Sequence, residues 1–204
     1  FLKSLSHAYG IIEKKTTLPI LSNILIEAKN KKIKVIATDL DIIYSEEISS
    51  EEIKKEGSTT TSVSVLYDIL RKLEPNSKIE FLLKDTNKLK LISGNSKFNL
   101  LCISSDNFPL SNEVINEKIF ELTSKKILKL LNKTKISISN DETRHYLNGI
   151  YLHKVNEENK SFLQGVATDS HRLSLSRLEI DKDTNFESII LPKKTIFQLI
   201  SLLE

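Results

Sequence analysis

Apolar positions along the chain follow two rhythms. "FLKSLSHA" (1–8) and "KILKLLNK" (126–133) bring apolar residues back every three to four positions, the spacing of one helix face. "KLKLIS" (88–93) and "LSLSRLEI" (173–180) instead alternate, as half-buried strands do. Read this way, the first part of the chain predicts a helix over 1–9 and a hairpin of strands 20–28 and 33–38 around "AKNKK". Strands 42–48 and 58–62, a helix over 64–73 and strands 79–84, 88–93 and 97–103 follow, with turns at "KDTN" and "SGNS". "DNFPLSNE" (106–113) has the Pro and polar cluster of a domain junction. The pattern resumes at 118–122, with a helix over 124–131, strands 147–154, 162–168, 172–179 and 187–191, and a helix from 193.

The second series repeats the first. "ATDLD" begins at Ala37 and "ATDSH" at Ala167, and "LYDILRKLE" and "IFQLISLLE" end 130 positions apart, at Glu74 and Glu204. "LSNILIEA" around Asn23 resembles "YLNGIYLH" around Asn148 at a spacing of 125, so five extra residues in "KVNEENKS" are expected at a hairpin tip. The fold class expected is α+β, in repeated domains over 1–116 and 117–204. The chain opens on Phe1, contains no Met and stops within an amphipathic pattern. It therefore reads as a piece of a longer protein, its second domain truncated.

At 39% hydrophobic and 28% charged, the composition is that of a chain able to bury a core. The single cysteine, Cys102, lies in an apolar run, which suits a core residue in a reducing, cytoplasmic setting. No stretch approaches the ~18 apolar residues of a membrane span. A net charge of +3 is too mild to speak alone, so the placement of the cations matters. Lys125, Lys126, Lys129 and Lys133 fall on one helix, Arg71 and Lys72 on another, and Lys193 and Lys194 on the last. Glu46, Glu47, Glu51, Glu52 and Glu56 cluster between helices instead. A basic layer of helices suits a phosphate backbone without reading bases. Two loops add to it: "EKKTTLP" with Lys14 and Lys15, and "NDETRHYLNG" with Arg144, His145 and Tyr146.

"ATDSHRL" sets Asp169, Ser170 and His171 side by side, which invites a catalytic reading. Three consecutive residues cannot form the relay, because one histidine must bond both partners at once. The histidines show no metal-ligand spacing, and no Gly-rich phosphate loop is present. Asp39 and Asp169 are common to both copies, so a structural job is expected: a carboxylate accepting turn amides at a strand end. "SHRL" replaces "LDII" only in the second copy, where Leu147 and Leu173 offer an apolar floor and His171 and Arg172 polar walls for a short peptide.

"TLPILSNILIEA", "ATDLD", "SDNFPL", "RHYLNGI", "ATDSHRL" and "ILPKKTIFQL" together resemble the bacterial β sliding clamp, the processivity factor of the replicative DNA polymerase, along essentially the whole chain. The resemblance implies a DNA-clamp fold: a head-to-tail homodimeric ring of three similar domains per protomer, helices lining the hole and sheets outside. It implies a non-catalytic protein without cofactor or metal that encircles double-stranded DNA. Its partners would be the DNA polymerase III alpha subunit, the clamp loader and other proteins with clamp-binding motifs. The family's cleft maps onto Leu147, Thr168, Ser170, His171, Arg172 and Leu173, with Ser170 where glycine is common. DNA contact maps onto Lys14, Lys15, Arg71, Lys72, Arg144, His145, Tyr146 and Lys193, and the dimer interface onto Phe98 and Leu100. The rival reading is a basic nucleic-acid-binding protein that forms no ring. With Phe98 and Leu100 on an unpaired edge, the isolated chain should self-associate as concentration rises. A monodisperse monomer in concentrated solution by light scattering would count against that.

Overall fold

The computed structural model describes residues 1–13, 17–85, 87–110, 120–141, 143–184 and 186–204, apart from the side chains of residues 84 and 85. The chain divides into two compact units, Phe1–Asn112 and Glu113–Glu204. Unit 1 contains α1 (Leu2–Ile11), β1 (Asn23–Lys29), β2 (Lys32–Thr38), β3 (Ile43–Ser49), β4 (Gly57–Ser62), α2 (Val63–Leu70), β5 (Glu80–Asp85), β6 (Lys88–Ser93) and β7 (Ser96–Ile103). Its strands form one antiparallel sheet in the order β3-β2-β1-β4-β7-β6-β5. Unit 2 contains α3 (Ser124–Thr134), β8 (Gly149–Glu157), β9 (Lys160–Thr168), β10 (Leu173–Ile180), β11 (Ile189–Pro192) and α4 (Lys193–Leu203), with sheet order β10-β9-β8-β11. The expected α+β class holds. Of the segment at 118–122, residues 118 and 119 lie outside the described residues, and Phe120–Leu122 form no strand.

Each helix is attached through a narrow apolar face. In α1, Leu5, Ala8 and Ile11 point inward, and in α2 Val63, Leu66 and Leu70 do. Both meet Ile24, Ile26, Val35 and Ala37 of the sheet in one core. The Ser62 hydroxyl starts α2 by accepting from the Val65 N–H at 3.4 Å. In unit 2, Leu130 and Leu131 of α3 and Ile196 and Ile200 of α4 meet Ile150, Leu152, Leu163 and Ala167. α2 ends at Leu70, so Arg71 and Lys72 fall in the turn after it rather than inside the helix.

Strand register corrects the alignment of the repeat. Leu25 faces Ile36 and Thr60, while Tyr151 faces Val166 and Ile190. Ile36 and Val166 keep the spacing of 130, but Leu25 and Tyr151 are 126 apart, so Asn23 corresponds to Gly149 and not to Asn148. Four extra residues, not five, enter the second hairpin. They lengthen its strands from seven to nine residues each and leave the two-residue turn unchanged. That turn opens with a left-handed residue in both copies, Asn30 at φ 49° and Glu158 at φ 46°.

The edge-strand expectation needs correction at one side chain only. β7 lies inside its sheet, between β4 and β6, although β4 reaches only Cys102 and Ile103 of it. Alternation turns Phe98 and Leu100 toward the core, where Leu100 is only 4% exposed. Leu101, on the other face, is 79% exposed. Leu100 therefore adds no sticky surface; what lies open along residues 96–101 is the backbone edge that β4 does not reach and the Leu101 side chain.

Gly149 sits where β8 and β11 approach most closely. A Cβ there would lie 2.2 Å from the Leu191 carbonyl oxygen, which is backbone and cannot swing away. Gly149→Ala should destabilise the protein by about 2–3 kcal/mol, as overpacking does. Urea denaturation of the two proteins measures this, and equal midpoints would refute it.

Candidate functional site

The repeated Ala-Thr-Asp phrase is a turn-closing device. In the first copy the Asp39 carboxylate accepts from the N–H groups of Asp41 (3.0 Å) and Ile42 (2.7 Å), and the Thr38 hydroxyl accepts from the Leu40 N–H at 3.0 Å. In the second, Asp169 accepts from His171 (3.1 Å) and Arg172 (3.0 Å), and Thr168 accepts from the Ser170 N–H at 3.2 Å. The residue after each Asp is forced into the left-handed region, Leu40 at φ 84° and Ser170 at φ 79°. Asp169 is thus occupied with backbone amides and with the Arg172 guanidinium, whose Nε donates to it at 3.0 Å. The amides of Arg172 and His171, with the guanidinium behind them, draw its pKa from 3.8 to about 2. No proton relay runs through this stretch.

Around that turn the cleft residues meet unequal environments. Leu173 is 63% exposed, Ser170, His171 and Arg172 are exposed, and Thr168 and Leu147 are half-buried. The Thr168 hydroxyl donates to the Arg172 carbonyl at 2.8 Å, and the Leu147 carbonyl accepts from the Ser139 N–H at 3.1 Å. Leu175, exposed two residues beyond Leu173 on the same strand face, extends the apolar surface. Sequence reasoning passed over it, although the alternation of "LSLSRLEI" held the signal.

The cations separate by type. Among the described residues, α1 and α2 carry Lys3 against Asp68, whereas α3 and α4 carry Lys125, Lys126, Lys129, Lys133, Lys193 and Lys194 and no acid. On α3 the lysines at 125, 126, 129 and 133 are all exposed, while Leu130, Leu131 and Thr134 face the core. Lys193 and Lys194 line a depression of ≈ 350 Å³ with Asn140, Asn148, Pro192 and Phe197. Lys193 also donates to Asn140 Oδ1. Lys72 is exposed, and Arg71 pairs with Asp68 at 3.2 Å. Arg144 pairs with Asp141 at 2.8 Å, and His145 and Tyr146 lie in the short 3-10 turn that follows, Tyr146 being 67% exposed. Lys14 and Lys15 lie outside the described residues. Among the described residues, no group of three or more His, Cys, Asp or Glu side chains could hold a metal ion.

An antiparallel sheet backed by two helices, written twice, is the fold of the DNA clamps, and in this chain the lysine excess lies on the helices of the second copy. The chain belongs to the DNA polymerase III beta subunit family: residues 1–112 match the profile of its N-terminal domain and residues 121–204 that of its central domain. The β sliding clamp of Caulobacter vibrioides is 35% identical over 206 aligned residues, covering 100% of this chain and 55% of that protein. The β sliding clamp of Rickettsia felis is 33% identical over 203 residues, covering 100% of this chain and 52% of its own length. Among solved structures, the C. crescentus β sliding clamp superposes with a TM-score of 0.93 at 34% identity, over 99% of this chain and 54% of that one. A DnaN sliding clamp from Bartonella birtlesii bound to griselimycin gives a TM-score of 0.91 at 37% identity, over 100% and 54%. The chain spans about half the length of the curated relatives it matches.

Because the folded pKa of Asp169 lies below its unfolded value, its carboxylate contributes to stability fully above about pH 4. That contribution is lost as pH falls toward 2. An NMR titration should place the Asp169 midpoint at about 2. Protection of the His171 and Arg172 amides from hydrogen exchange should fall over the same interval, and a midpoint near 3.8 would show that the turn is not held this way.

Proposed function

We propose that the protein containing this chain is a sliding clamp. It encircles double-stranded DNA in the cytoplasm and tethers the replicative polymerase for processive synthesis, with no catalysis of its own. The observation that carries this reading is the helix layer of the second unit, with six lysines and no acid in α3 and α4. Such a layer attracts phosphates of any sequence and imposes no register along the duplex. The proposed DNA-facing residues are Lys14, Lys15, Arg71, Lys72, Lys193, His145 and Tyr146, joined by the exposed lysines of α3.

The proposed peptide cleft is formed by Leu147, Thr168, Ser170, His171, Arg172 and Leu173. It takes short motifs of the DNA polymerase III alpha subunit, the clamp loader and other clamp-binding proteins. Hydrophobic anchors of such a motif would rest on Leu173 and Leu147, as apolar side chains do in shallow recognition grooves. We take griselimycin, bound to the Bartonella clamp, as the probe of the proposed cleft. In the full-length protein a third domain and a second protomer close the ring, with the β7 strand carrying Phe98 near the subunit contact.

The test uses full-length protein loaded by its clamp loader onto a nicked circular plasmid. After isolation at moderate salt, one cut in the plasmid should release the protein, while the uncut circle retains it. Equal retention before and after cutting would mean binding through contacts alone, and the ring reading would give way to a basic nucleic-acid-binding protein.

A further inference from the structure

Loop 140–147 and the turn between β9 and β10 carry different expectations, phosphate for the first and apolar peptide for the second. One side chain joins them. Arg144 Nε donates to Asp141 Oδ2 at 2.8 Å, and Arg144 Nη1 donates to the Ser170 hydroxyl at 2.8 Å. Asp141 is itself fixed, since its Oδ1 accepts from the Thr143 N–H at 3.0 Å and the Thr143 hydroxyl at 2.6 Å. Those bonds, with that of Arg144, hold the Asp141 carboxyl below its ordinary pKa, so the partner of Arg144 stays charged.

Ser170 occupies a left-handed position that glycine would fill with less strain. The turn does not need a hydroxyl there, because it closes in the same way around Leu40 in the first copy. The serine side chain at 170 therefore makes sense through its outward partner, the guanidinium. The consequence reaches the apolar residues of the cleft. The Leu147 N–H donates to the Arg144 carbonyl at 2.9 Å, and Leu173 opens β10 three residues after Ser170. A bond between 144 and 170 thus fixes the separation of Leu147 and Leu173.

We propose that Ser170 and Arg144 form a latch between loop 140–147 and the β9–β10 turn, making Arg144 a positioning residue of the peptide cleft rather than a free cation for DNA. A phosphate oxygen would have to displace a fixed carboxylate 2.8 Å from the guanidinium, whereas the lysines of α3 have no such competitor among the described residues. The effect on ligands rests on the cleft reading; the latch itself does not.

Four arginines in the chain make the Arg144 Nη1–H resonance, the group that meets Ser170, assignable in arginine-labelled protein. Ser170→Ala should raise its solvent exchange by about threefold, as a loosened local contact does, and leave Arg71 unchanged. Ser170→Asn, which tolerates the left-handed backbone and offers an oxygen, should restore the slow exchange. Unaltered exchange in Ser170→Ala overturns the latch. For griselimycin, Arg144→Ala and Ser170→Ala should each weaken binding by about fivefold, with the double variant no weaker than the worse single. Multiplying effects would overturn the coupling. Failure of the unsubstituted chain to bind griselimycin would remove the cleft reading, while the exchange measurement still decides the latch. On a short DNA duplex, Arg144→Ala should leave the slope of log affinity against log salt unchanged. A fall of about 0.9 would mean that Arg144 neutralises a phosphate after all.

Discussion

The close seating of α3 on the second sheet governs most of what this unit presents to its surroundings. It depends on Gly165, where an added Cβ would stand 2.6 Å from Leu130 Cδ2. Without a side chain at 165, Leu130 and Leu131 drop onto Ile150 and Leu163, each buried leucine contributing roughly 1.5–3 kcal/mol. Once those residues are committed, the helix has one rotational setting left. Lys125, Lys126, Lys129 and Lys133 must then point away from the sheet, so a packing constraint becomes an electrostatic surface.

Duplication explains how the proposed ligand site arises on such a scaffold. Both copies spend Thr and Asp on the same turn, with matching donors and a matching left-handed residue. With closure secured by two side chains, the three residues within the turn are free to change. Leu40, Asp41 and Ile42 became Ser170, His171 and Arg172, and only the second set reaches another loop through a side chain, via Ser170 and Arg144. The opening motif resembled a catalytic relay because closing a tight turn draws on the same residue types as proton transfer.

Much of this was legible in the sequence, and the failures share a cause. Local rhythm located all four helices, and the role of Asp39 and Asp169 followed from the chemistry of a carboxylate at a strand end. What local rhythm cannot give is which strands pair. The repeat was misaligned by one residue because a pair of asparagines looked equivalent, whereas register is set by cross-strand hydrogen bonds. Leu100 was assigned to a surface for the same reason, since its facing depends on how β7 pairs with β6. "DNFPLSNE" reads as a domain junction, and the units divide within it, yet Phe108 is also buried against Leu25 and Ile36 on the sheet face opposite the helices. A lone aromatic in a polar, Pro-containing stretch does not reveal that it folds back on distant strands.

Arginine and lysine divide the charge in a way that bears on sliding. All four arginines have an acidic partner: Arg71 with Asp68, Arg144 with Asp141, Arg172 with Asp169 and Arg177 with Glu157. A planar guanidinium holds a carboxylate in fixed geometry, which suits turns and loops that must keep their shape. Among the described residues, Lys125, Lys126, Lys129 and Lys133 have no acidic partner, and each ends in a mobile, strongly hydrated point charge. Such groups can follow a phosphate, release it and take the next without passing through a strongly preferred arrangement. A bidentate arginine at the same positions would create discrete resting points along the duplex. Under the proposed function, a protein that moves along DNA while keeping its partners in a fixed cleft needs rigid charge at the cleft and mobile charge on the helices.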